Sequence, residues 1–264
     1  MDNLIAREKE QAILREALTL DSSEMVAIMG RRRVGKTFLI RSVYGNQIDL
    51  EFTGVQNAKL EEQLKAFHYY VQQYATDTTT LKPPEKWLDA FLQLITVLNA
   101  EKTDKKRIIF FDELPWLATR RLGFLRAFGF FWNNWASKSN ILVVISGSAA
   151  SWIIEKVIWD KGGLHNRITR RITLHPFNLA ETKTYFDSKN IRLNHYETIL
   201  LYMAMGGIPH YLKEVKKGKG AIQNIEDICF SSDGLLTDEF INLYPALFEN
   251  SDNHIQVIRA LATK

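Results

Sequence analysis

Cysteine is almost missing from this chain. Its 264 residues contain one, Cys229, so no disulfide can close within the chain and a reducing compartment is expected. Long apolar runs are missing as well: none approaches the roughly 18 residues that a bilayer-spanning helix needs. Residues 1–9 lack the apolar stretch of a signal peptide. A membrane is therefore not an expected partner, and a cytoplasmic location is. The six histidines show neither H-x-x-x-H spacing nor a pairing with cysteine, so no zinc site is expected. A G-x-S-x-G elbow is absent, which removes the α/β-hydrolase nucleophile, and so is Asn-Lys-x-Asp, the pattern with which GTPases usually read guanine. Neither sign of charge dominates. The 34 Lys and Arg against 30 Asp and Glu leave a net charge of +4, which permits contact with nucleic acid without arguing for it. With 46% hydrophobic and 24% charged residues the composition is that of an ordinary globular protein, long enough for one large domain or one with a smaller companion.

What is present begins with Gly30-Arg31-Arg32-Arg33-Val34-Gly35-Lys36-Thr37, which reads G-x-x-x-x-G-K-[ST], the phosphate-binding P-loop or Walker A pattern. The apolar run Met25-Val26-Ala27-Ile28-Met29 before it reads as a buried strand, and Phe38 and the residues after it begin a helix. Strand, glycine loop and helix are what the chemistry requires. Glycines let backbone N–H groups turn toward a phosphate, and the helix N-terminus adds its partial positive charge. The stretch Gly30 to Phe38 is thus the candidate site for ATP or ADP. Lys36 would reach the β- and γ-phosphates, and the Thr37 hydroxyl would hold Mg²⁺. The side chains of Arg31, Arg32 and Arg33 need to point mostly to solvent or to a neighbouring subunit.

Hydrophobic periodicity supplies the frame. Strands are expected at 25–29, 47–55, 107–111, 140–145 and 168–174, with helices at 4–20, 60–74, 87–99, 122–135 and 151–159. The stretch 75–84, polar and ending in two prolines, reads as a loop. Continuously apolar strands separated by helices imply a parallel sheet covered on both faces, with ligand at the carboxyl ends of the strands. The fold expected is α/β: a P-loop NTPase core over 1–176 with a five-stranded parallel sheet, then a small helical lid subdomain over 177–233. The helices at 180–186, 195–205 and 224–230 would build that lid. Residues 234–264, with a helix starting near 253 and no cap or breaker at its end, read as the start of a further region whose remainder is missing.

The second half of a nucleotide site follows at Ile108-Ile109-Phe110-Phe111-Asp112-Glu113, an apolar strand ending in two carboxylates, the Walker B pattern. Such a strand delivers Asp112 to the sheet's carboxyl edge beside the P-loop, where it would bind the Mg²⁺ shell. Glu113 stands where a carboxylate can take a proton from attacking water. The alternative, a solvated strand end before a turn at Pro115, asks nothing of these side chains. The strand and helix material between Lys36 and Asp112 fits an extra strand placed between the two Walker strands, as in P-loop ATPases with a catalytic glutamate. After the next strand, Ser146-Gly147-Ser148 offers a hydroxyl that can sense the γ-phosphate or orient water. Ser146 and Ser148 are nearly tied for that role, and small residues are also ordinary turn formers.

With these residues in view the chain resembles the archaeal-type ATPase family, close to the STAND class of signalling ATPases and related to the AAA superfamily. Ile5-Ala6-Arg7-Glu8-Lys9-Glu10 is similar to the family's G-R-E-x-E box, with Ala6 in place of the usual Gly. Ser146-Gly147-Ser148 is similar to its Gly-Ser stretch. His165-Asn166-Arg167 ahead of Pro176-Phe177 is similar to its Gly-Arg…Pro-Phe segment, with Asn166 in place of Gly. Gly206-Gly207-Ile208-Pro209-His210-Tyr211-Leu212 is similar to its Gly-Gly-x-Pro-x-Tyr-Leu motif. The resemblance covers residues 3–215. It implies that Arg7 and Glu8 lie near the adenine, and that Pro209 packs on the base from the helical subdomain. It implies that Arg167 contacts the γ-phosphate as an arginine finger, in cis or, with self-association, in trans. It also implies that a winged-helix domain begins after residue 233. Hydrolysis of ATP to ADP and phosphate with Mg²⁺ is the activity expected. The competing expectation is a nucleotide-gated switch that turns over slowly, or a nucleic-acid-associated ATPase. The basic spots Lys105-Lys106-Arg107, Arg120-Arg121 and 213–219 would serve the last of these, although such runs are usually solvated faces. Phe130, Phe131, Trp132 and Trp135 are expected to pack against the sheet rather than stack on bases.

Overall fold

The computed structural model describes residues 4–75, 81–101, 103–118, 123–159, 163–239 and 251–262. Arg120-Arg121, the expected helix start at Leu122, the centre of the 75–84 loop and part of the 234–264 region lie outside the described residues. The chain divides into two units, Met1–His175 and Pro176–Lys264.

The first unit is built on a five-stranded sheet formed by β1 (Glu24–Met29), β2 (Ile48–Thr53), β3 (Arg107–Asp112), β4 (Ile141–Gly147) and β5 (Arg170–Thr173). The strands run in the order β2-β3-β4-β1-β5 and every pairing is parallel. β4 therefore lies between β1, which feeds the P-loop, and β3, which ends in Asp112. β1, β3 and β4 are buried at every position, whereas the edge strands β2 and β5 are only partly covered. Burial on both faces is why the three central strands read as unbroken apolar runs.

Side chains alternate across a strand, and two distinct cores result. Ile109, Phe111, Val143, Ile145, Leu50 and Phe52 meet α3 (Leu60–Tyr74), α4 (Trp87–Ala100) and α6 (Phe124–Asn134). This core is aromatic. The Phe91 ring lies between 5.3 Å (Phe131) and 6.2 Å (Phe111) from the centres of its ring neighbours Phe67, Trp87, Phe124 and Phe128 as well. Phe131 and Trp132 are buried in it, Trp135 is half-buried, and Phe130 is exposed. On the opposite face Val26, Ile28, Ile108, Phe110, Leu142 and Val144 meet α1 (Glu8–Thr19) and α2 (Lys36–Tyr44) in an aliphatic core. Register pairs Phe110 with Val144. One step of the period-two alternation further, Asp112 and Ser146 fall side by side on the α2 face.

Three elements of the first unit depart from the periodic reading. α1 starts at Glu8 rather than at residue 4, because Ala6 and Arg7 take left-handed backbone angles (φ 58° and 70°). Leu114–Leu117 forms a one-turn helix, α5, with Pro115 in the first turn, where its missing N–H is no loss. α7 (Ala150–Ile153) continues as a π-helical turn over Ile154–Ile158.

Among the described residues the second unit contains helices only. α8 (Leu179–Ser188) and α9 (His195–Met205) each start at an asparagine, Asn178 and Asn194. Each cap side chain accepts from the backbone N–H of Glu181 or Glu197, whose carboxylate in turn accepts from the asparagine's backbone N–H. α9 stops at Gly206 (φ 61°), and α10 (Pro209–Leu212), α11 (Ala221–Ile225) and α12 (Ser251–Ala262) follow.

Phe91 is fully buried in the aromatic core. Phe91→Ala is expected to cost about 3–5 kcal/mol through lost transfer and a residual cavity, read from denaturant unfolding. A loss below about 1 kcal/mol would contradict this packing.

Candidate active site

The P-loop is fixed at both of its ends. Leu174 N donates to Met29 O at 2.7 Å, which brings the chain after β5 against the loop's first residue. A methyl group on Gly30 would lie 2.3 Å from the Leu174 carbonyl oxygen, so only glycine fits there. Val34 is buried in the aliphatic core, and Gly35 (φ 93°) turns the chain into α2. Arg33 also adopts left-handed angles (φ 68°). Between these anchors Arg31 is exposed, and the half-buried Arg32 holds its guanidinium 5.9 Å from the centre of the Trp116 ring. Phe38 is 44% exposed on the first turn of α2. Lys36 curls back over the loop, donating to the carbonyls of Gly30 (3.0 Å) and Arg31 (3.1 Å).

Asp112 gathers the site. Its Oδ2 accepts from the Thr37 hydroxyl at 2.7 Å, and its Oδ1 accepts from the Ser146 hydroxyl and from the Glu113 backbone N–H at 3.1 Å. One carboxylate, 6% exposed, thus ties the P-loop helix to β3 and β4. Every one of these partners is a donor, which matches the acceptor oxygens of a carboxylate. Thr37 spends its hydrogen on Asp112 and keeps its oxygen lone pairs. A hydroxyl oxygen beside a single carboxylate is the kind of protein set to which Mg²⁺ binds when phosphates and waters supply its other ligands.

Glu113 sits at the next residue in a left-handed conformation (φ 48°, ψ 52°), an uncommon one for a non-glycine residue. The turn it makes is wedged between two glycines. A methyl on Gly54, just past β2, would lie 2.7 Å from the Glu113 carbonyl oxygen. One on Gly147, at the end of β4, would lie 2.8 Å from the Pro115 ring. Gln63 adds a brace, donating to the carbonyls of Val55 (2.6 Å) and Trp116 (2.9 Å). The carboxylate so placed accepts on Oε2 from both the backbone N–H (3.0 Å) and the hydroxyl (2.9 Å) of Ser148. Its Oε1 lies 4.0 Å from the Lys36 ammonium. Burial pushes the Lys36 pKa below the ordinary lysine value; Glu113 and Asp112 oppose that shift and Arg32 adds to it. A buried cation held by two carbonyls and two nearby carboxylates can accept an anion that desolvates with it.

Residues 4–215 match a family of ATPase domains found predominantly in Archaea. The chain belongs to this family. It is 27% identical over 212 residues to the uncharacterized protein MJECL04 of Methanocaldococcus jannaschii, an alignment that takes in 80% of this chain and 44% of that one. The chain thus spans less than half the length of this curated relative. Among solved structures the archaeal-type ATPase domain is similar in fold to the Walker-type ATPase PABY2304 of Pyrococcus abyssi (TM-score 0.57, 21% identity, 80% of this chain and 66% of that one). It is similar too to the Aeropyrum pernix ORC2 protein, solved in ADPNP–ADP complexes (TM-score 0.55, 15% identity, 80% and 61%). A third likeness is to the STAND protein PH0952 of Pyrococcus horikoshii, which has a tetratricopeptide repeat sensor (TM-score 0.51, 16% identity, 94% and 33%).

The other expected positions of the ATPase domain fall in different places. Arg7 is 6% exposed and donates to the His175 carbonyl oxygen, with Glu10 3.9 Å away, so the guanidinium secures the end of the first unit. Glu8 is exposed at the start of α1. Arg167 is exposed, and its backbone N–H donates to Leu164 O at 3.1 Å; the structure does not bring it to the Asp112 cluster. Pro209 opens α10 in the second unit. There Phe177 N donates to Gly207 O at 2.8 Å, and a methyl on Gly207 (φ 66°) would lie 2.0 Å from the Phe177 carbonyl oxygen. Two stretches far apart in sequence, Pro176-Phe177 and Gly206-Gly207, are thereby one packed feature. Both positions where the sequence has another residue for the expected glycine are left-handed: Ala6 at φ 58° and Asn166 at φ 54°. Asparagine tolerates that region, and alanine does so at a cost of about 1–2 kcal/mol.

Gly54 was not singled out in the sequence, and neither was the grip of Ser148 on Glu113. Strand parity carries part of the signal, since counting by twos along β3 and β4 puts Asp112 and Ser146 on one face. For Ala6, the strain predicts that Ala6→Gly raises stability by about 0.5–1 kcal/mol after the glycine's larger unfolded entropy is subtracted. Thermal unfolding checks it, and a lower Tm for Ala6→Gly would contradict the strained geometry.

Proposed function

We propose that this ATPase domain binds ATP and hydrolyses it to ADP and phosphate with Mg²⁺. The observation that carries the proposal is the juxtaposition at the carboxyl ends of β1 and β3. Glu113 Oε1 stands 4.0 Å from the P-loop ammonium, one residue from the carboxylate that grips Thr37. In this reading the backbone amides of Gly30 to Thr37 cradle the phosphates, and a phosphate oxygen replaces the Gly30 and Arg31 carbonyls as acceptor for Lys36. Thr37 and Asp112 would hold Mg²⁺, which would supply positive charge beside the phosphates. Glu113 takes the proton from the attacking water through Oε1, while Oε2 stays with Ser148. Ser146 keeps Asp112 oriented through its hydrogen bond to Oδ1. Glu8 is proposed to meet the base, and Arg167 to meet the γ-phosphate from the same chain or a second copy.

A second reading has support from one contact. Glu113 Oε2 already accepts two hydrogen bonds from Ser148, so that oxygen is not open to an attacking water. A slow, nucleotide-gated switch would use the same residues, and a nucleic acid that stimulates turnover would mark the third reading.

Phosphate release measured with Mg-ATP decides among them. Wild type is expected to turn over and Glu113→Gln to lose about 100-fold or more in kcat, in line with removal of a general base, with ATP affinity within a few fold. Chelating Mg²⁺ with EDTA is expected to abolish turnover. Equal inertness of wild type and Glu113→Gln, with ATP still bound, would favour the switch. A rate that rises with added DNA and falls steeply with salt would favour the nucleic-acid reading.

A further inference from the structure

Ser146 and Ser148 flank Gly147 and look interchangeable as γ-phosphate sensors, yet their hydroxyls serve different carboxylates. Ser146, fully buried in β4, donates to Asp112 Oδ1. Ser148, half-buried just past the strand, gives both its backbone N–H and its hydroxyl to Glu113 Oε2. The separation follows from the sheet. Strand alternation places Ser146 on the α2 face beside Asp112, and the chain leaves the sheet at Gly147, where a side chain would strike Pro115 and Ile153. With no side chain in the way, the β4 end lies against the Glu113 turn, and the next residue meets the glutamate from its own side.

From this we infer that Ser148 is a positioning residue for Glu113: it clamps Oε2 so that Oε1 is the oxygen presented toward the P-loop, while Ser146 serves the metal-side carboxylate. The inference rests on the hydrolytic reading of Glu113. A two-point grip fixes both the direction and the rotation of the carboxylate, which one hydrogen bond would leave free to swing. The left-handed turn at Glu113 and the Gly54 and Gly147 contacts hold the backbone beneath it, so the clamp works on a fixed base. Loss of such support displaces a reacting group by about 1 Å, enough to cost on the order of 100-fold in rate.

The test is a set of variants of this chain: Ser148→Ala, Ser148→Thr, Ser146→Ala, Glu113→Ala and the double variant Ser148→Ala/Glu113→Ala. Steady-state kinetics should show Ser148→Ala lowering kcat by about 10- to 100-fold, with KM for ATP and the half-saturating Mg²⁺ concentration within twofold of wild type. Ser148→Thr, which keeps amide and hydroxyl, should recover most of the rate. Ser146→Ala should instead raise the Mg²⁺ requirement. In the Glu113→Ala background, Ser148→Ala should have little further effect on the residual rate. Thermal unfolding of the nucleotide-free variants gives a readout that needs no turnover: the Tm losses of Ser148→Ala and Glu113→Ala should be non-additive. The clamp is overturned if Ser148→Ala keeps the wild-type rate, raises it, or slows the Glu113→Ala background as much as wild type. Additive Tm losses overturn it as well. Inactive wild type with non-additive Tm losses would remove the hydrolytic reading and leave the clamp; active wild type with additive losses would do the reverse.

Discussion

The Asp112 carboxylate is the point on which the site depends. Thr37 from the P-loop helix, Ser146 from β4 and the Glu113 amide from the β3 turn all donate to it. These donors come from segments that meet only because β4 runs between β1 and β3. A buried carboxylate is expensive unless its lone pairs are filled, so the cost of placing Asp112 there is met by donors that the site also needs for other purposes. Loss of any one donor would leave a charge under-satisfied in a place with almost no solvent.

Around that point, small residues govern how close the backbones come. Gly30 admits the Leu174 carbonyl, Gly147 admits Pro115, and Gly54 admits the Glu113 carbonyl. The result is a strained left-handed glutamate held between neighbours on both sides. Strain of about 1–3 kcal/mol at a single residue persists only where the surroundings over-determine it. The two cores supply that rigidity: rings from α3, α4 and α6 fill one face of the sheet, and aliphatic side chains from α1 and α2 fill the other. The same economy appears in the second unit, where Gly207 admits the Phe177 carbonyl.

Much of this was legible in the sequence because it depends on burial and on local chemistry. The three central strands are apolar throughout since both faces are covered, α3 follows its apolar stripe, and α3 and α9 keep the bounds expected of them. The Walker patterns name Lys36, Thr37, Asp112 and Glu113 by spacing, and the structure brings those side chains together. What could not be read is set by long-range geometry. The order of strands decides that Ser146 meets Asp112 and Ser148 meets Glu113, and spacing along one strand end leaves the two serines tied. α5 escaped notice because four residues carry no periodicity and Pro115 suggests only a turn. The start of α1 was misplaced because apolar residues at Leu4 and Ile5 continue the pattern, while a left-handed Ala6 has no local signature. Arg7 is polar and charged, and nothing in its neighbours announces the His175 carbonyl that it secures.

The central claim is that Asp112 unites the P-loop with the metal side of an ATP site. Calorimetric titration of ATP into wild type and Asp112→Asn, each with Mg²⁺ and with EDTA, tests it most directly. The account predicts that Mg²⁺ strengthens ATP binding to wild type by about tenfold or more and has little effect on Asp112→Asn, within the range seen when a metal-site partner is lost. An equal Mg²⁺ effect in both proteins would contradict it.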